Sequence, residues 1–193
     1  TTQDYKEAFK WYEKAALQED ASSQYWLGNM YRLGLGTTQD YKEAFKWYEK
    51  AALQGNSSGQ RELGNMYYFG EGTTQDYNEA FKWYEKAALQ DNASGQTKLG
   101  NMYRLGLGTT KDYKEAFKWY EKAALQGDSS GQIKLADMYF FGQITQNYKE
   151  AFKWYEKAAL QGDSSGQIQL GSMYYLGLGT TQDYKEAFKW YEK

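Results

Sequence analysis

Asp40-Tyr41-Lys42-Glu43-Ala44-Phe45-Lys46-Trp47-Tyr48-Glu49-Lys50 decides the fold, because the chain carries this stretch six times, nearly unchanged. Copies start at Asp4, Asp40, Asp76, Asp112, Asn147 and Asp183, so the spacing is 36 residues four times and 35 once. A period of about 20 to 50 residues marks a solenoid, in which each unit can bury its apolar face only against its neighbours. The expected fold is therefore an all-α solenoid of about five and a half 36-residue helix-turn-helix repeats. Its units are 1–36, 37–72, 73–108, 109–143, 144–179 and a partial 180–193, forming one solenoid domain that is read as a segment of a longer array.

In the first unit, Asp4 is placed to cap a helix, with Glu7 three residues on as the second arm of a capping box. Tyr5, Ala8, Phe9, Tyr12, Ala15 and Ala16 follow at helical spacing on one stripe, while Lys6, Lys10, Glu13 and Lys14 take the opposite side. Gly55, Gly127 and Gly162 follow this helix in three copies and fit left-handed caps. Glu19 and Asp91 stand there in two others, which predicts that those ends close differently. A second helix runs from about Ser22 to Leu33 and stops at Gly34-Leu35-Gly36. Gln24, Leu27, Gly28, Met30 and Tyr31 form its core side, and Tyr25, Asn29 and Arg32 lie nearly opposite. Gly28 recurs as Gly64, Gly100 and Gly171, with Ala136 in the fourth unit, and predicts a place where two helix backbones come close.

The series Leu27-Gly28-x-Met30-Tyr31, Gly34-x-Gly36, Asp40-Tyr41-x-x-Ala44 and Trp47-Tyr48-x-x-Ala51-Ala52 resembles the Sel-one-like repeat, a relative of the tetratricopeptide repeat. The resemblance covers the whole chain. It implies a right-handed superhelix of antiparallel helix pairs, the Leu-Gly-x-Met-Tyr helix towards the concave side and the Trp-Tyr helix towards the convex side. It also implies a protein-binding adaptor. Glycine replaces a helix-initial alanine, as at Gly59, and threonine follows the Gly-x-Gly turn, which leaves local capping open.

Comparison of the units inside the chain separates scaffold from surface. The Trp-Tyr helix barely changes. The other helix varies at three equivalent positions: Tyr25, Arg61, Thr97, Ile133 and Ile168; Asn29, Asn65, Asn101, Asp137 and Ser172; Arg32, Tyr68, Arg104, Phe140 and Tyr175. These share one helix face, and stacking would align them as ladders along a groove that binds a protein or peptide partner. Arginine and tyrosine, enriched at interfaces, recur among them. Drift on a tolerant solvated face is the bland alternative. Trp26 has no counterpart and is either a cap over the groove mouth or a binding anchor.

Other chemistries find little material. A net charge of −2 argues against nucleic acid as partner. No apolar run approaches the ~20 residues that a membrane span requires. Histidine and cysteine are absent, which excludes histidine triads, thiolate nucleophiles and their metal sites. The recurrent Glu7, Glu43, Glu79, Glu115, Glu150 and Glu186 have like surroundings, whereas a catalytic carboxylate pair needs unlike ones. No enzyme activity, cofactor or metal is expected. Asn56-Ser57-Ser58 and Asn92-Ala93-Ser94 match the glycosylation triplet, but aspartate in equivalent places favours helix capping. Trp11, Trp47, Trp83, Trp119, Trp154 and Trp190 are read as packing between repeats. End-to-end self-association is the second functional reading, since a terminal unit leaves a stacking surface uncovered. Finally, the fourth turn, Gly142-Gln143-Ile144-Thr145, is one residue short and lacks the second glycine, which predicts a reoriented helix near Asn147.

Overall fold

The computed structural model describes residues 2–193, and side chains from Asp4 onward. Among them are eleven helices and no strand: α1 (Thr2–Ala16), α2 (Ala21–Leu33), α3 (Tyr41–Leu53), α4 (Ser57–Phe69), α5 (Tyr77–Leu89), α6 (Ala93–Leu105), α7 (Tyr113–Leu125), α8 (Ser129–Phe140), α9 (Tyr148–Leu160), α10 (Ser164–Leu176) and α11 (Tyr184–Tyr191). They fall into two compact units whose boundary lies within α6: Thr1–Gly95 with Leu107–Thr110, and Gln96–Gly106 with Lys111–Lys193. Odd-numbered helices carry the Trp-Tyr stretch and even-numbered helices the variable one.

The odd helices start where an aspartate or asparagine stops the preceding turn. Asp40 Oδ1 accepts the N–H groups of Lys42 and Glu43, while the N–H of Asp40 donates back to the carbonyl of Tyr31 at 2.9 Å. The same arrangement recurs at Asp76, Asp112 and Asp183, whereas Asn147 accepts from Glu150 alone. This corrects two expectations. The glutamate arm of the capping box is not made, because Tyr31 already satisfies the N–H that Glu43 would reach, and Glu43 pairs with Lys46 instead. Nor is Asp4 a cap, since α1 begins at Thr2 and leaves Asp4 within its first turn.

The far ends of these helices bring a third correction. Gly55, Gly127 and Gly162 have φ of 86°, 90° and 84°, as expected, but Glu19 and Asp91 adopt the same left-handed backbone at 66° and 57°. The closing bond is also shared: Asp20 N–H donates to Ala15 O at 3.3 Å, as Asn56 N–H does to Ala51 O at 3.0 Å. The next helix fixes where the chain must go, so a side chain is forced into a conformation that glycine takes at less cost. Each even helix is then capped by the following residue, with Asn56 Oδ1 accepting Gly59 N–H and Asn92 Oδ1 accepting Gly95 N–H. Capping is thus the observed role of both asparagines of the glycosylation triplets.

Packing joins consecutive helices through three repeated devices. Within a repeat, rings meet edge to face, Phe9 on Tyr31 at 5.3 Å and Phe152 on Tyr174 at 5.2 Å. Buried glutamines bridge helix ends: the Gln60 side chain donates to Ala52 O at 3.2 Å and accepts from Gln90 at 2.7 Å, and Gln132 does the same with Ala124 and Gln161. The third device is the tyrosine of the next odd helix, seated on the helical glycine. A β-carbon on Gly28 would lie 2.7 Å from the Tyr48 ring, and one on Gly100 would lie 2.6 Å from the Tyr120 ring. The expected close approach of backbones at these glycines is therefore an approach of a ring to a backbone. Backbones meet instead at Gly59, where a β-carbon would lie 2.9 Å from Ala51 Cβ and 3.1 Å from Ala52 N. Trp47 and Trp83 are buried, each under a lysine ammonium 4.2 and 3.9 Å from the ring centre. Trp11 is instead 62% exposed.

The short fourth turn keeps both of its anchors. Gly142 holds φ of 67°, Gln143 N–H donates to Met138 O at 3.1 Å and Asn147 N–H to Tyr139 O at 3.0 Å, matching Leu35 to Met30 and Asp40 to Tyr31. The deletion lies wholly between these bonds, and nothing in them marks the start of α9 as reoriented.

Two stability changes follow. Glu19→Gly removes a left-handed residue with a β-carbon and is expected to raise stability by about 0.5 to 1 kcal/mol, read as a higher urea midpoint; an unchanged or lower midpoint refutes the assigned strain. Gly100→Leu drives a side chain into the Tyr120 ring and is expected to cost about 1 to 3 kcal/mol, with an unchanged midpoint as the contrary result.

Candidate interaction site

The stripe Tyr25, Asn29, Arg32 and its equivalents flanks the core rather than standing clear of it. The middle ladder is largely spent on the scaffold. Tyr48 hydroxyl donates to Asn29 Oδ1 at 2.9 Å, Tyr84 to Asn65 at 2.7 Å, Tyr120 to Asn101 at 2.7 Å and Tyr155 to Asp137 at 2.6 Å, and Ser172 Oγ lies 3.1 Å from the Tyr191 hydroxyl. The reason is geometric, since the residue after the helical glycine meets the far end of the tyrosine that covers it.

In the first unit, Tyr25 packs between Trp26 at 5.1 Å and Tyr48 at 6.1 Å. Trp26 stacks on Tyr12 at 6.2 Å yet remains 49% exposed, so the ring has one covered and one open face. Arg61 forms an ion pair with the buried Glu62 at 2.7 Å, and Glu62 also accepts from Asn65. Arg32 Nε donates to the Tyr48 hydroxyl at 3.2 Å. Tyr68 sits edge-on against Tyr77 at 5.3 Å and Phe69 at 4.9 Å.

In the second unit, Thr97 is buried and donates to Asp128 at 2.9 Å, which removes it from the surface. Phe140 packs on Tyr148 at 5.4 Å and Tyr175 on Tyr184 at 5.2 Å, leaving Tyr175 and Ile168 about half exposed. Arg104 Nε is buried without a hydrogen-bond partner. A cleft of about 340 Å³ is lined by Ser130, Ile133, Lys134, Asp137, Asp163, Ser165 and Gln169. Ile133 and Asp137 were legible as ladder residues, whereas Ser130, Asp163 and Ser165 were missed because the start of the helix reads as capping material. Extending the stripe one turn towards the N-terminus, from Ile133 to Ser130, would have found the first of them. A larger opening of about 550 Å³ lies over Lys6, Glu7, Lys10, Trp11 and Lys14, none of them a ladder residue.

Among the described residues no group of three or more acidic side chains is arranged to hold a metal. No helix among them is long and apolar enough to cross a membrane.

The Sel1 repeat pattern matches residues 1–20, 21–56, 57–92, 93–128, 129–163 and 164–193. Apart from 1–20, which holds α1 alone, each matched repeat starts at an even helix, and the chain belongs to the Sel1 repeat family. A protective antigen of uropathogenic Escherichia coli with an SLR fold is 41% identical with a TM-score of 0.86, over 95% of this chain and 40% of that one. The chain thus spans well under half the length of that antigen. A Sel1 repeat protein from Oxalobacter formigenes is 34% identical with a TM-score of 0.89, over 98% of this chain and 76% of that one. An immunity protein from Pseudomonas aeruginosa, 23% identical over 95% of this chain and 71% of that one with a TM-score of 0.68, shares the fold. No curated protein sequence is significantly similar to the chain. Sel1 repeat proteins are in general non-catalytic, protein-interaction scaffolds built as helical-repeat solenoids.

Burial raises the hydroxyl pKa of Tyr48, Tyr84 and Tyr155 well above the ordinary value, with the charges of Glu62 and Asp137 adding to it. Tyr120 is pushed up to about 12 by burial, held back by the charge of Arg104. The protonated form is the one that the fold stabilises, so this contribution is complete below the ordinary tyrosine pKa of 10.0 and lost as pH climbs past it. Alkaline titration followed by tyrosinate absorbance and ellipticity is expected to show surface tyrosines ionising with the helices intact and the buried ones only as helicity is lost. Ionisation of all tyrosines in one step with helicity retained contradicts this.

Proposed function

We propose that the chain is a non-enzymatic scaffold that holds a peptide segment or partner domain against the variable face of its even-numbered helices. One observation carries the reading: sequence variation among the repeats collects on that face, and partly open aromatic and arginine side chains stand there on a nearly invariant support. Trp26, Tyr68, Phe140 and Tyr175 are held by neighbouring rings, so that little rotamer freedom is lost on binding. The family's general use as interaction scaffolds agrees with it.

The experiment is affinity capture of a partner by the full chain, its identification, and calorimetry of the purified pair. Replacing Arg32, Tyr68 and Arg104 together by alanine is expected to weaken the pair by at least ~2 kcal/mol, the scale of one hot spot, with helicity nearly unchanged. Equal affinity of the parent and the variant refutes the groove.

A further inference from the structure

An open leucine stands at the end of the odd helices. Leu53, Leu89, Leu125 and Leu160 are the last residues of α3, α5, α7 and α9, Leu17 follows α1, and all five are 68 to 71% exposed. Positions just beyond have changed between copies: the chain reads Glu19-Asp20, Gly55-Asn56, Asp91-Asn92, Gly127-Asp128 and Gly162-Asp163. The leucine has not. The glutamine after it is held by the fold, since the Gln54 side chain donates to Gln24 at 2.7 Å and Gln24 donates to Ala16 O at 3.2 Å, whereas the leucine stays open to solvent. A polar residue in its place would leave stability nearly unchanged. An exposed leucine kept in every copy therefore points to a contact outside the chain.

Successive leucines flank a notch. In the first compact unit a cleft of about 410 Å³ is lined by Leu17 and Leu53 together with Gln24, Gln54, Lys50 and Glu19. Lys50 Nζ lies 4.2 Å from the centre of the Trp47 ring, and among the described residues no carboxylate pairs with it. The same parts recur one repeat on, where Gln60 bridges Ala52 and Gln90, and Lys86 Nζ lies 3.9 Å from the Trp83 ring centre. The second unit repeats them at Leu125 and Leu160, where Gln132 bridges Ala124 and Gln161, and Lys157 Nζ lies 4.0 Å from the Trp154 ring centre. Gly55 and Gly127 take the place of Glu19 in these two notches, so Lys86 and Lys157 meet no acid at that position. Glu49 and Glu156 bear instead on Tyr67 and Tyr174 of the even helices, whose ionisation they oppose. A flat anionic bilayer resting on the first unit's leucines would also meet Glu19, Asp20 and Asp91, which follow them within three residues. A narrow segment seated between Leu53 and Leu89 meets Gly55 and Lys86.

We propose that these notches are a further interaction surface, apart from the variable face, and that each compact unit by itself seats an acidic amphipathic segment of a partner protein there. An aliphatic or aromatic side chain of the segment enters between two leucines. An aspartate or glutamate beside it pairs with Lys86 in the first unit or with Lys157 in the second. Each ammonium is already placed over its tryptophan, which limits the entropy lost on pairing. The inference does not depend on the groove reading above.

A displayed library of random dodecapeptides, selected on the full chain, supplies the probe. The expected result is a set of peptides joining acidic and apolar residues, bound about tenfold or more weakly after Leu53→Ser with Leu160→Ser at unchanged ellipticity. Lys86→Gln with Lys157→Gln is expected to weaken them likewise, arginine at both places to retain them, Tyr68→Ala to leave them unaffected, and added salt to weaken them. A selected set wholly indifferent to the leucine pair overturns the proposal. Leucine-dependent peptides that are neutral or basic, or that ignore both lysines, overturn its chemistry. Sedimentation showing a dimer of the parent that the leucine variant dissolves gives the ladder to a second copy, and flotation with phosphatidylserine vesicles that the leucine variant abolishes gives it to a lipid surface. Either overturns it.

Discussion

A tyrosine lying on a helical glycine, with its hydroxyl bonded to the next residue of that helix, is the contact on which this structure depends. It recurs as Tyr48 on Gly28 and Asn29, Tyr84 on Gly64 and Asn65, and Tyr120 on Gly100 and Asn101. Each tyrosine is almost wholly buried, so a large apolar area is taken from water while the one polar atom keeps a partner. The three residue types are interdependent. A β-carbon at the glycine displaces the ring, and a residue without an acceptor beside it strands the hydroxyl. Ala136 shows how far the rule bends, because Tyr155 there reaches Asp137, and Phe140 packs against the ring at 6.4 Å.

This contact also decides what the surface can do. By bonding to the asparagine side chains it commits them to the scaffold and leaves the positions on either side of them to vary. Where the outer position holds an aromatic ring, the first tyrosine of the following helix braces it, as Tyr77 does Tyr68 and Tyr184 does Tyr175. Where it holds arginine, the buried tyrosine stands beside the guanidinium, and in the case of Arg32 accepts from it. The residues proposed for recognition are thereby braced by the same groups that build the fold, which under that proposal would lower the entropy lost when a partner binds.

Most of the architecture was legible in the sequence because a 36-residue period over-determines helix positions, and each copy checks the others. What escaped was set by neighbours rather than by local pattern. Gly28 reads as a small-residue contact, but whether a backbone or a ring fills the space depends on the Tyr48 rotamer. Glu19 and Asp91 read as a different helix ending, yet closure against the next helix imposes the glycine geometry on them. Glu43 reads as a capping arm until the Tyr31 carbonyl takes the N–H it would need. Among the candidate site residues, Arg32, Tyr68, Phe140 and Tyr175 could be placed from the helical wheel, whereas the burial of Thr97 against Asp128 could not, because that bond joins neighbouring repeats.

The most direct test is a double-mutant cycle on Tyr120 and Asn101, with Tyr120→Phe, Asn101→Leu and the pair measured by urea denaturation. If the hydroxyl-to-asparagine bond ties the ring to its seat, Asn101→Leu takes the acceptor from a buried hydroxyl and Tyr120→Phe takes the donor from a half-buried amide, each costing about 1 to 3 kcal/mol. The double variant, which strands neither, should then be destabilised by less than the two single losses combined, giving a coupling near ~1 kcal/mol. Strictly additive losses, or single changes with no measurable effect, would contradict the account.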